Sequence, residues 1–385
     1  MKKIVFCFLG LLAVLYTASA QSYTFNHGPY LQELSEHAVT FVFTTSDKGF
    51  SWVEVKPDGG EAERHYTVRN GLRDAYNTFN VIRVENLRPD TRYQYRLCSK
   101  QIADFQPYKV TFGDSIVSPW RRFSTPDPKA TTCSFIALSD MHQQPDKLGR
   151  LLNQAGVGSA DMIFYVGDMM NYYDNEETPF RSFIDKSVEL FASEKPFVLV
   201  RGNHETRGNM AREYARYVPK SSGKYYGAYR VGDIMFIVLD CGEDKPDDFW
   251  VYAGLTDFDG YRTEQAAWFG ELIRSKAYKS AKWRIVMNHF PPLSHMESDN
   301  PERHGIQDIT DKFLPLYNQA KIDLMISGHT HAYEFMSPDK YDRLTFPVIV
   351  NSTESVARID IDGRTLKAKV TDTGGNTLKE FTISK

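Results

Sequence analysis

Five apolar segments between Cys133 and His331 each end in polar residues of the kinds that bind metal ions. In the sequence they read CSFIALSDMH, DMIFYVGDMMN, KPFVLVRGNHE, WRIVMNHFPP and IDLMISGHTH. Their ends supply carboxylates, an amide and imidazoles from Asp140, His142, Asp168, Asn203, His204, His289, His329 and His331. Oxygen and nitrogen donors without thiolate suit divalent or trivalent metal ions. The pattern therefore predicts a site for two metals.

The place of these residues, directly after apolar runs, gives the pattern its weight. Taken alone, an Asp-x-His is common, and a lone histidine such as His289 is more often a buried, hydrogen-bonded residue than a ligand. All five segments occur in order, however, and the carboxyl ends of parallel strands converge at one edge of a sheet. We expect the strand 197–200 to end in polar residues because it delivers Asn203. Gly202 is expected to let the backbone turn sharply there.

The residues from Tyr23 to about Ser124 alternate between apolar and polar types, as in AVTFVFTT and WVEVKP. Alternation interrupted by proline and glycine turns is typical of antiparallel strands, so an N-terminal all-β sandwich is predicted. The two prolines in WRRFSTPDP indicate a linker. The first domain is therefore placed at 21–127 and the second at 128–385.

The second domain combines continuous apolar strands with helix-length stretches such as 264–275. Such strands are buried on both faces, which predicts a layered α/β structure. The last segment, VARIDIDGRTLKAKVTDTGGNTLKEFTI, returns to hairpin patterning with Asp-Gly and Gly-Gly turns.

Residues 1–20 have the pattern of a secretory signal peptide. Lys2 and Lys3 precede the apolar run 4–15, and the small residues 18–20 offer a cleavage site. That run is shorter than the ~20 residues that cross a bilayer, and no later segment is long enough. The sequence predicts a secreted or periplasmic protein without a membrane span.

Charge and cysteine content exclude other classes of function. Removing the leader takes the formal charge from −3 to −5, and such a surface does not attract nucleic acid. Positive charge for an anionic substrate must therefore be supplied locally. The remaining cysteines, Cys98, Cys133 and Cys241, match no zinc knuckle in spacing. We expect them to be small buried residues.

The set DMH, GDMM, GNHE, NH and GHTH resembles the calcineurin-like metallophosphoesterase family. In the first domain, NLRPDTRYQYRL resembles the turn and penultimate strand of fibronectin type III modules. A sandwich before the catalytic domain makes the purple acid phosphatase branch the nearest relative. The resemblance covers nearly all of the mature chain and implies a four-layer α/β/β/α second domain.

The resemblance also implies a role for each polar residue. One metal ion takes Asp140, His142, Asp168 and His331, and the other takes Asp168, Asn203, His289 and His329. Two ions ~3.5 to 4 Å apart activate a water as hydroxide and grip the phosphate oxygens. His204 is expected to face the phosphoryl group as hydrogen-bond donor or general acid, and His295 to contact the substrate.

The function predicted on this basis is hydrolysis of small phosphate monoesters by a secreted enzyme with two divalent ions, such as Mn, Zn or Fe. One alternative is a phosphodiesterase acting on cyclic nucleotides or lipid headgroups, because the same centre serves both reactions. Another is a binding protein with a non-catalytic second domain. The intact set of ligands favours an enzyme, while substrate and oligomeric state stay open.

Several charged residues near these segments allow two interpretations. Glu205 either orients His204 or lies at the surface. Arg201 and Arg207 either hold phosphate or are solvated. His304, like His295, falls in the loop after His289, where exposed histidines are common.

Asn171 sets this chain apart from the purple relatives. They carry a metal-binding tyrosine three residues after the bridging aspartate, and GDMMNYY places Asn171 there. The relatives also lack a histidine at the place of His142. The protein is therefore predicted not to be purple and to prefer divalent ions. Tyr172 and Tyr173 are expected to pack beneath the loop.

Overall fold

The computed structural model describes residues 22–293, 295–297 and 299–385. The predicted signal peptide lies outside the described residues. Within them, no helix has both the length and the apolar character that crossing a bilayer demands.

The N-terminal region is an antiparallel β structure built on one long strand. Its strands are β1 (Tyr30–Gln32), β2 (Val39–Pro57), β3 (Glu63–His65), β4 (Val68–Arg69), β5 (Leu72–Arg73), β6 (Asn77–Val84), β7 (Arg92–Gln106), β8 (Lys109–Val117) and β9 (Arg121–Ser124). The first half of β2 pairs with β1 and β6, and its second half pairs with β3 and β7. Strands β8 and β9 pair with β7, and β4 pairs with β5.

Strand β2 corrects one expectation. Turns were expected between the alternating segments, but AVTFVFTT (except Ala38) and WVEVKP lie in one strand, β2, where the pairing register shifts between Thr44 and Gly49. The shift lets the strand change partners without ending. Phe41 from its first half and Val53 from its second half meet Tyr95 in one buried core.

The second region contains two mixed sheets. The first has the order β12-β11-β10-β19-β20-β21 and the second β13-β14-β15-β16-β18-β17. Their strands are β10 (Thr132–Leu138), β11 (Met162–Val166), β12 (Phe197–Val200), β13 (Gly227–Val231), β14 (Ile234–Val238), β15 (Trp283–Met287), β16 (Leu324–Ser327), β17 (Glu334–Met336), β18 (Val348–Val350), β19 (Ser355–Asp362), β20 (Thr365–Asp372) and β21 (Thr377–Ser384).

The two sheets share a buried core. Phe135 of β10 and Phe164 of β11 lie against Phe236 of β14, with ring centroids 5.2 and 5.1 Å apart. The helices are α1 (Pro145–Gln154), α2 (Asp185–Leu190), α3 (Tyr214–Tyr217), α4 (Phe258–Leu272), α5 (Lys276–Ser280) and α6 (Arg303–Ala320).

Helices cover the outer face of each sheet. Leu148 of α1 shares a core with Ile136 of β10. Phe269 of α4 and Phe313 of α6 share another with Met325 of β16. The result is a mixed α/β fold of the predicted layered kind. Helix α4 starts at Phe258, six residues before the helix-length stretch recognised in the sequence.

The C-terminal hairpins complete the first sheet. Strand β19 pairs antiparallel with β10, and β20 and β21 follow through turns at Gly363 and Gly375, both with positive φ. This agrees with the predicted Asp-Gly and Gly-Gly turns. The cysteines Cys98, Cys133 and Cys241 are free and buried, as expected.

Candidate metal centre

The predicted metal ligands follow strands that run parallel within their sheets. Strands β10, β11 and β12 are parallel in the first sheet, and β14, β15 and β16 are parallel in the second. The carboxyl ends of five of them lead into the polar segments recognised in the sequence. Both sheets therefore deliver donor atoms to a common edge.

The structure brings these donor atoms into two groups that share Asp168. One contains Asp140, His142, Asp168 and His331, and the other contains Asp168, His289 and His329, with donor atoms within 4.8 Å of one another in each group. Nε2 of His142 lies 3.0 Å from Nε2 of His331. Oδ1 of Asn203 lies 3.1 Å from Nδ1 of His329, which adds the amide to the second group.

Two buried nitrogens test whether these residues fit a metal ion. Nε2 of His289 and Nε2 of His329 have no hydrogen-bond partner among the described residues. A buried polar atom without a partner costs free energy. His289 Nδ1 lies 2.6 Å from the Val166 carbonyl, so Nδ1–H donates there and the lone pair of Nε2 faces Asp168 Oδ2 at 3.1 Å. A cation between these atoms removes the conflict, and the residues fit a metal.

The pKa values of the cluster agree with metal binding. Burial opposes a charge on His289, yet the Asp168 carboxylate outweighs it and raises the pKa to about 10. A positive charge at Nε2 is therefore favoured, whether from a proton or from a metal ion. Burial lowers the pKa of His142 to about 4 and that of His329 to about 3, so both rings are neutral near pH 7. Neutral imidazole is the form that binds metals.

The two aspartates behave differently. Burial raises the pKa of Asp140 to about 6. Burial also acts to raise the pKa of Asp168, but the neighbouring imidazoles, led by His289, hold it well below the usual range. Asp168 is therefore the fixed negative charge of the centre.

Five of the predicted ligands have left-handed backbone conformations. The φ angles are 57° at Asp140, 45° at His142, 56° at Asp168, 73° at His329 and 58° at His331. Residues other than glycine rarely adopt positive φ, and each instance costs of order 1–3 kcal/mol. Such strain persists only where surrounding contacts impose it, and it is concentrated at functional sites.

Glu205 supplies much of this restraint, and both interpretations offered for it were wrong. It is fully buried rather than at the surface, and its carboxylate accepts the backbone N–H groups of Asp168, Met169 and Gly202 at 2.8–2.9 Å. It does not contact the ring of His204. Instead it holds the turn that carries Asp168 against the loop that carries Asn203.

Gly202 also has a different role from the one expected. It is absent from the glycines with positive φ, so the turn does not require its conformational freedom. A Cβ at this position would overlap Oδ1 of Asp168. Glycine is needed because the two loops approach each other closely.

His204 is held by three contacts. Its backbone N–H donates to Asp168 Oδ1 at 3.0 Å, and its Nδ1 lies 2.8 Å from the Asn171 carbonyl. Because Nδ1–H donates to that carbonyl, Nε2 is free to accept, and Nη1 of Arg207 lies 3.1 Å from it. In this arrangement the lone pair of His204 Nε2 points at a guanidinium.

The two arginines are neither free nor solvated. Arg201 is mostly buried, with Nη2 2.8 Å from Asp240 Oδ2. Arg207 donates to both carboxylate oxygens of Glu243, at 3.0 and 2.9 Å, and to Asp244 Oδ2 at 3.1 Å. Arg201 is therefore engaged by Asp240 and by the ring of Tyr225, whereas Arg207 still presents Nη1 beside His204.

His295 lies at the edge of a cleft beside the two donor groups. The cleft has a volume of about 690 Å³ and is lined by residues that include Asp168, Asn203, His204, Arg207, His295 and His329. His295 is exposed, and its Nε2 lies 3.2 Å from Glu334. His304 is bound to Asp259 at 2.8 Å and does not line the cleft.

Sequence reasoning missed Glu243 and Asp244. Asp244 Oδ2 lies 3.4 Å from Nδ2 of Asn203, which turns the amide oxygen of Asn203 toward the second group. The signal was present, because LDCGED follows the apolar strand β14 as the other polar segments follow theirs. The side chain of Asn171 was treated only as a missing tyrosine, yet its Oδ1 lies 3.1 Å from His142 Nδ1.

The two tyrosines after Asn171 lie in different environments. Tyr173 is buried among aromatic side chains, as expected. Tyr172 is 57% exposed, so the expectation that it packs beneath the loop was wrong.

The fold and the donor set together define a metallophosphoesterase-type centre. Residues 133–333 match the family model of the calcineurin-like phosphoesterases. The chain belongs to this family.

The chain is also similar to curated purple acid phosphatases. The chain is 25% identical over 206 residues to probable purple acid phosphatase 20 of Arabidopsis thaliana, covering 50% of this chain and 44% of that protein. With purple acid phosphatase 21 of the same plant the identity is 22% over 277 residues, covering 68% and 55%. The chain thus spans about half the length of these relatives.

The fold resembles that of yellow lupin purple acid phosphatase PPD1. The TM-score is 0.67 at 15% identity, with 92% of this chain and 74% of that chain covered. The structure of PhoD gives a TM-score of 0.62 at 12% identity, covering 92% and 89%. At these identities the likeness shows the fold alone.

Proposed function

We propose that the protein hydrolyses small phosphate monoesters with the help of two divalent metal ions bound by the two donor groups. The observation that carries this proposal is that Asp168 belongs to both groups. The curated relatives are acid phosphatases by name, which favours a monoester over a diester. The leader pattern of residues 1–20 supports a secreted or periplasmic site of action.

The residues of the site have different roles in the proposed reaction. Bound ions would supply an activated water and a grip on the phosphate oxygens. Asp168 orients its neighbours as well, since one oxygen accepts the His204 N–H and the other faces His289. His204 can give a proton to the leaving oxygen only when Nε2 carries one, so its contact with Arg207 must break in that state. Arg207 Nη1 is then available to the substrate.

The domain limits 21–127 and 128–385 form part of the proposal. Strand β9 ends at Ser124 and β10 begins at Thr132, which brackets the proposed boundary. A fibronectin III-like first domain is supported by Tyr93, whose hydroxyl accepts the backbone N–H of Arg88 at 2.8 Å. A tyrosine near a strand start that bonds back to the preceding turn is a feature of such sandwiches.

One experiment tests the reaction. The purified protein is analysed for metals and assayed with 4-nitrophenyl phosphate and bis(4-nitrophenyl) phosphate. We expect two metal ions per chain and a higher kcat/KM for the monoester. Faster cleavage of the diester would favour a phosphodiesterase, and bound metal without hydrolysis of either ester would favour a binding protein.

Asn171 should set the affinity of the first metal ion. Its Nδ2 donates to Gln143 at 3.2 Å, which leaves Oδ1 to accept Nδ1–H of His142 and turns Nε2 of His142 toward the donor group. Such partners fix the tautomer of a metal-binding histidine, and losing one costs about 10- to 100-fold in metal affinity. We expect Asn171→Leu to weaken one of two binding steps in a metal titration by this factor.

Asn171→Asp separates this role from a merely structural one. A carboxylate makes the imidazole a stronger ligand, so this variant should bind the metal at least as tightly as the wild type. Asn175→Leu, in the same loop, is the matched control, because among the described residues its side chain bonds to Asp174 and Glu177 and to no predicted ligand. Equal weakening in Asn171→Leu and Asn171→Asp would contradict the assignment.

The protein should also not be purple when loaded with iron and oxidised. Asn171 provides no phenolate, and Tyr172 is turned largely to solvent. The measurement is a visible spectrum of the ferric protein. A strong band that disappears in Tyr172→Phe would show that Tyr172 reaches the metal.

A further inference from the structure

A second cavity adjoins the metal cleft. It has a volume of about 840 Å³, and Arg207 lines both it and the cleft. The two spaces also meet along the chain, because Asp244 lines the cleft while Glu243 and Lys245 line the cavity. Whatever binds near Arg207 can therefore extend from the cleft toward the cavity.

The walls of this cavity are rich in aromatic rings. They include the side chains of Tyr225, Tyr252, Phe258 and Tyr261 together with Val251 and Leu255. Aromatic rings gain most when they pack against another ring, face to face with an offset or edge to face. The walls also carry Arg201, Arg212 and Lys245, but Arg201 is paired with Asp240, and Lys245 with Asp244 and Glu302. The Arg201 guanidinium lies over the Tyr225 ring, 4.5 Å from its centroid. Guanidinium planes stack on aromatic groups as rings do, so the walls suit a flat aromatic ligand.

The rim exposes apolar side chains that the protein itself leaves uncovered. Leu255 is 69% exposed and Trp250, next to Val251 of the wall, is 81% exposed. Backbone hydrogen bonds fix this segment, with Tyr252 N donating to Phe249 O at 3.0 Å and Leu255 N to Tyr252 O at 2.9 Å. Contiguous exposed apolar groups beside a site commonly mark a surface that a ligand covers.

His204 connects the cavity with the reaction. A general acid must stand within hydrogen-bond reach of the leaving oxygen, so that oxygen lies close to Nε2 of His204. Arg207 Nη1 lies 3.1 Å from the same nitrogen, and the leaving oxygen takes its place there when that contact breaks. Glu243 holds the rest of the guanidinium and also accepts the hydroxyl of Tyr252, a wall residue, at 2.8 Å. The leaving oxygen is therefore placed at the junction of cleft and cavity.

We propose that the cavity binds the leaving group of the substrate and that this group carries an aromatic ring. The inference rests on the proposed function, because it uses His204 to locate the leaving oxygen. In the reaction the bond from phosphorus to the alcohol oxygen breaks, and water oxygen bonds to phosphorus and releases a proton to the solvent. A proton from His204 goes to the alcohol, and His204 regains one from the solvent. The products are inorganic phosphate and an aromatic alcohol.

Three esters with leaving groups of similar chemistry test the proposal. These are benzyl phosphate, cyclohexylmethyl phosphate, which has a saturated ring of the same size, and ethyl phosphate, which is too small to fill the cavity. We compare kcat/KM for wild type and Leu255→Asp, a change at an exposed position. We expect about a tenfold loss with benzyl phosphate, a smaller loss with the cyclohexylmethyl ester and no change with ethyl phosphate. Trp250→Ala should show the same order.

Leu72→Asp is the matched control, since Leu72 is 77% exposed in the N-terminal region. It should leave all three esters unchanged. Equal loss with all three in Leu255→Asp, or no loss with benzyl phosphate, would overturn the cavity as a leaving-group site. An equal loss with the two ring esters would overturn the aromatic class.

Two further outcomes identify other failures. A wild-type dimer that Leu255→Asp converts to a monomer would assign the rim to a second copy of the chain and overturn the proposal. A wild-type protein that contains two metal ions but hydrolyses none of the three esters would overturn the proposed function itself. Binding of benzylphosphonate, measured by calorimetry, then still tests the cavity without turnover, because Leu255→Asp should weaken it and Leu72→Asp should not.

Discussion

Asp168→Asn should lower metal content and activity together. The amide keeps the shape of the side chain and can still accept the N–H of His204, but it removes the negative charge shared by both donor groups. Two cations close together then lack the anion between them. We expect fewer than two metal ions per chain and a kcat/KM lower by about 10⁴-fold or more, the scale seen when a central catalytic group is removed.

The control for this prediction is Asp174→Asn. Asp174 is exposed in the loop that follows Asp168, and its carboxylate contacts Thr178 and Asn175. It should retain both metals and full activity. Circular dichroism checks that the Asp168 variant is folded. Wild-type activity in folded Asp168→Asn would rule out a shared centre.

His204→Ala should keep both metal ions and lose turnover. The ring contacts the Asn171 carbonyl, Arg207 and the edge of the His142 ring, and it belongs to neither donor group, so removing it takes away no predicted ligand. General acid catalysis contributes typically 10²- to 10⁴-fold, and we expect kcat to fall within that range. Metal analysis and steady-state kinetics on the same preparation provide the measurement.

The size of the loss should depend on the leaving group. An ester with an acidic alcohol, such as 4-nitrophenyl phosphate, needs little protonation and should lose less than benzyl phosphate. His37→Ala, on the N-terminal region with its ring bound to the Leu87 carbonyl, is the control and should lose nothing. An equal loss for both esters would indicate that His204 stabilises charge, and no loss would remove it from the site.

The polar strand ends were predictable from the sequence because the apolar run and the polar residues that follow it are neighbours in the chain. Strand β12 has the bounds 197–200 that the apolar run predicted, and its polar end reaches the cluster as expected. The grouping of donor residues around Asp168 was predictable as well, because the carboxyl ends of parallel strands lie at one edge of a sheet. Burial of the apolar run fixes the position of the strand. The residues directly after the strand then lie at the edge of the sheet.

The contacts of Glu205, Arg201 and Arg207 were not predictable in this way. Each depends on a partner distant in the chain, such as the Asp168 turn for Glu205 and Glu243 for Arg207. In the sequence a charged residue after a strand looks the same whether it will be solvated or buried. Only the packing of one loop against another decides which carboxylate pairs with which donor.

The left-handed residues of the centre bear on any attempt to transplant it. A designer who copies Asp140, His142 and Asp168 onto helices or regular strands would reproduce the chemical groups but aim them differently, because their Cβ directions depend on positive φ. The part that would have to be transferred as a whole is the pair of loops that carry His142 and Asp168. Backbone hydrogen bonds join them, including His142 N to Asp168 O at 3.0 Å, and the buried carboxylate of Glu205 binds the Asp168 loop. Grafts that carry both loops, that glutamate and the loop of His331 should bind a metal ion, whereas grafts of side chains alone should not.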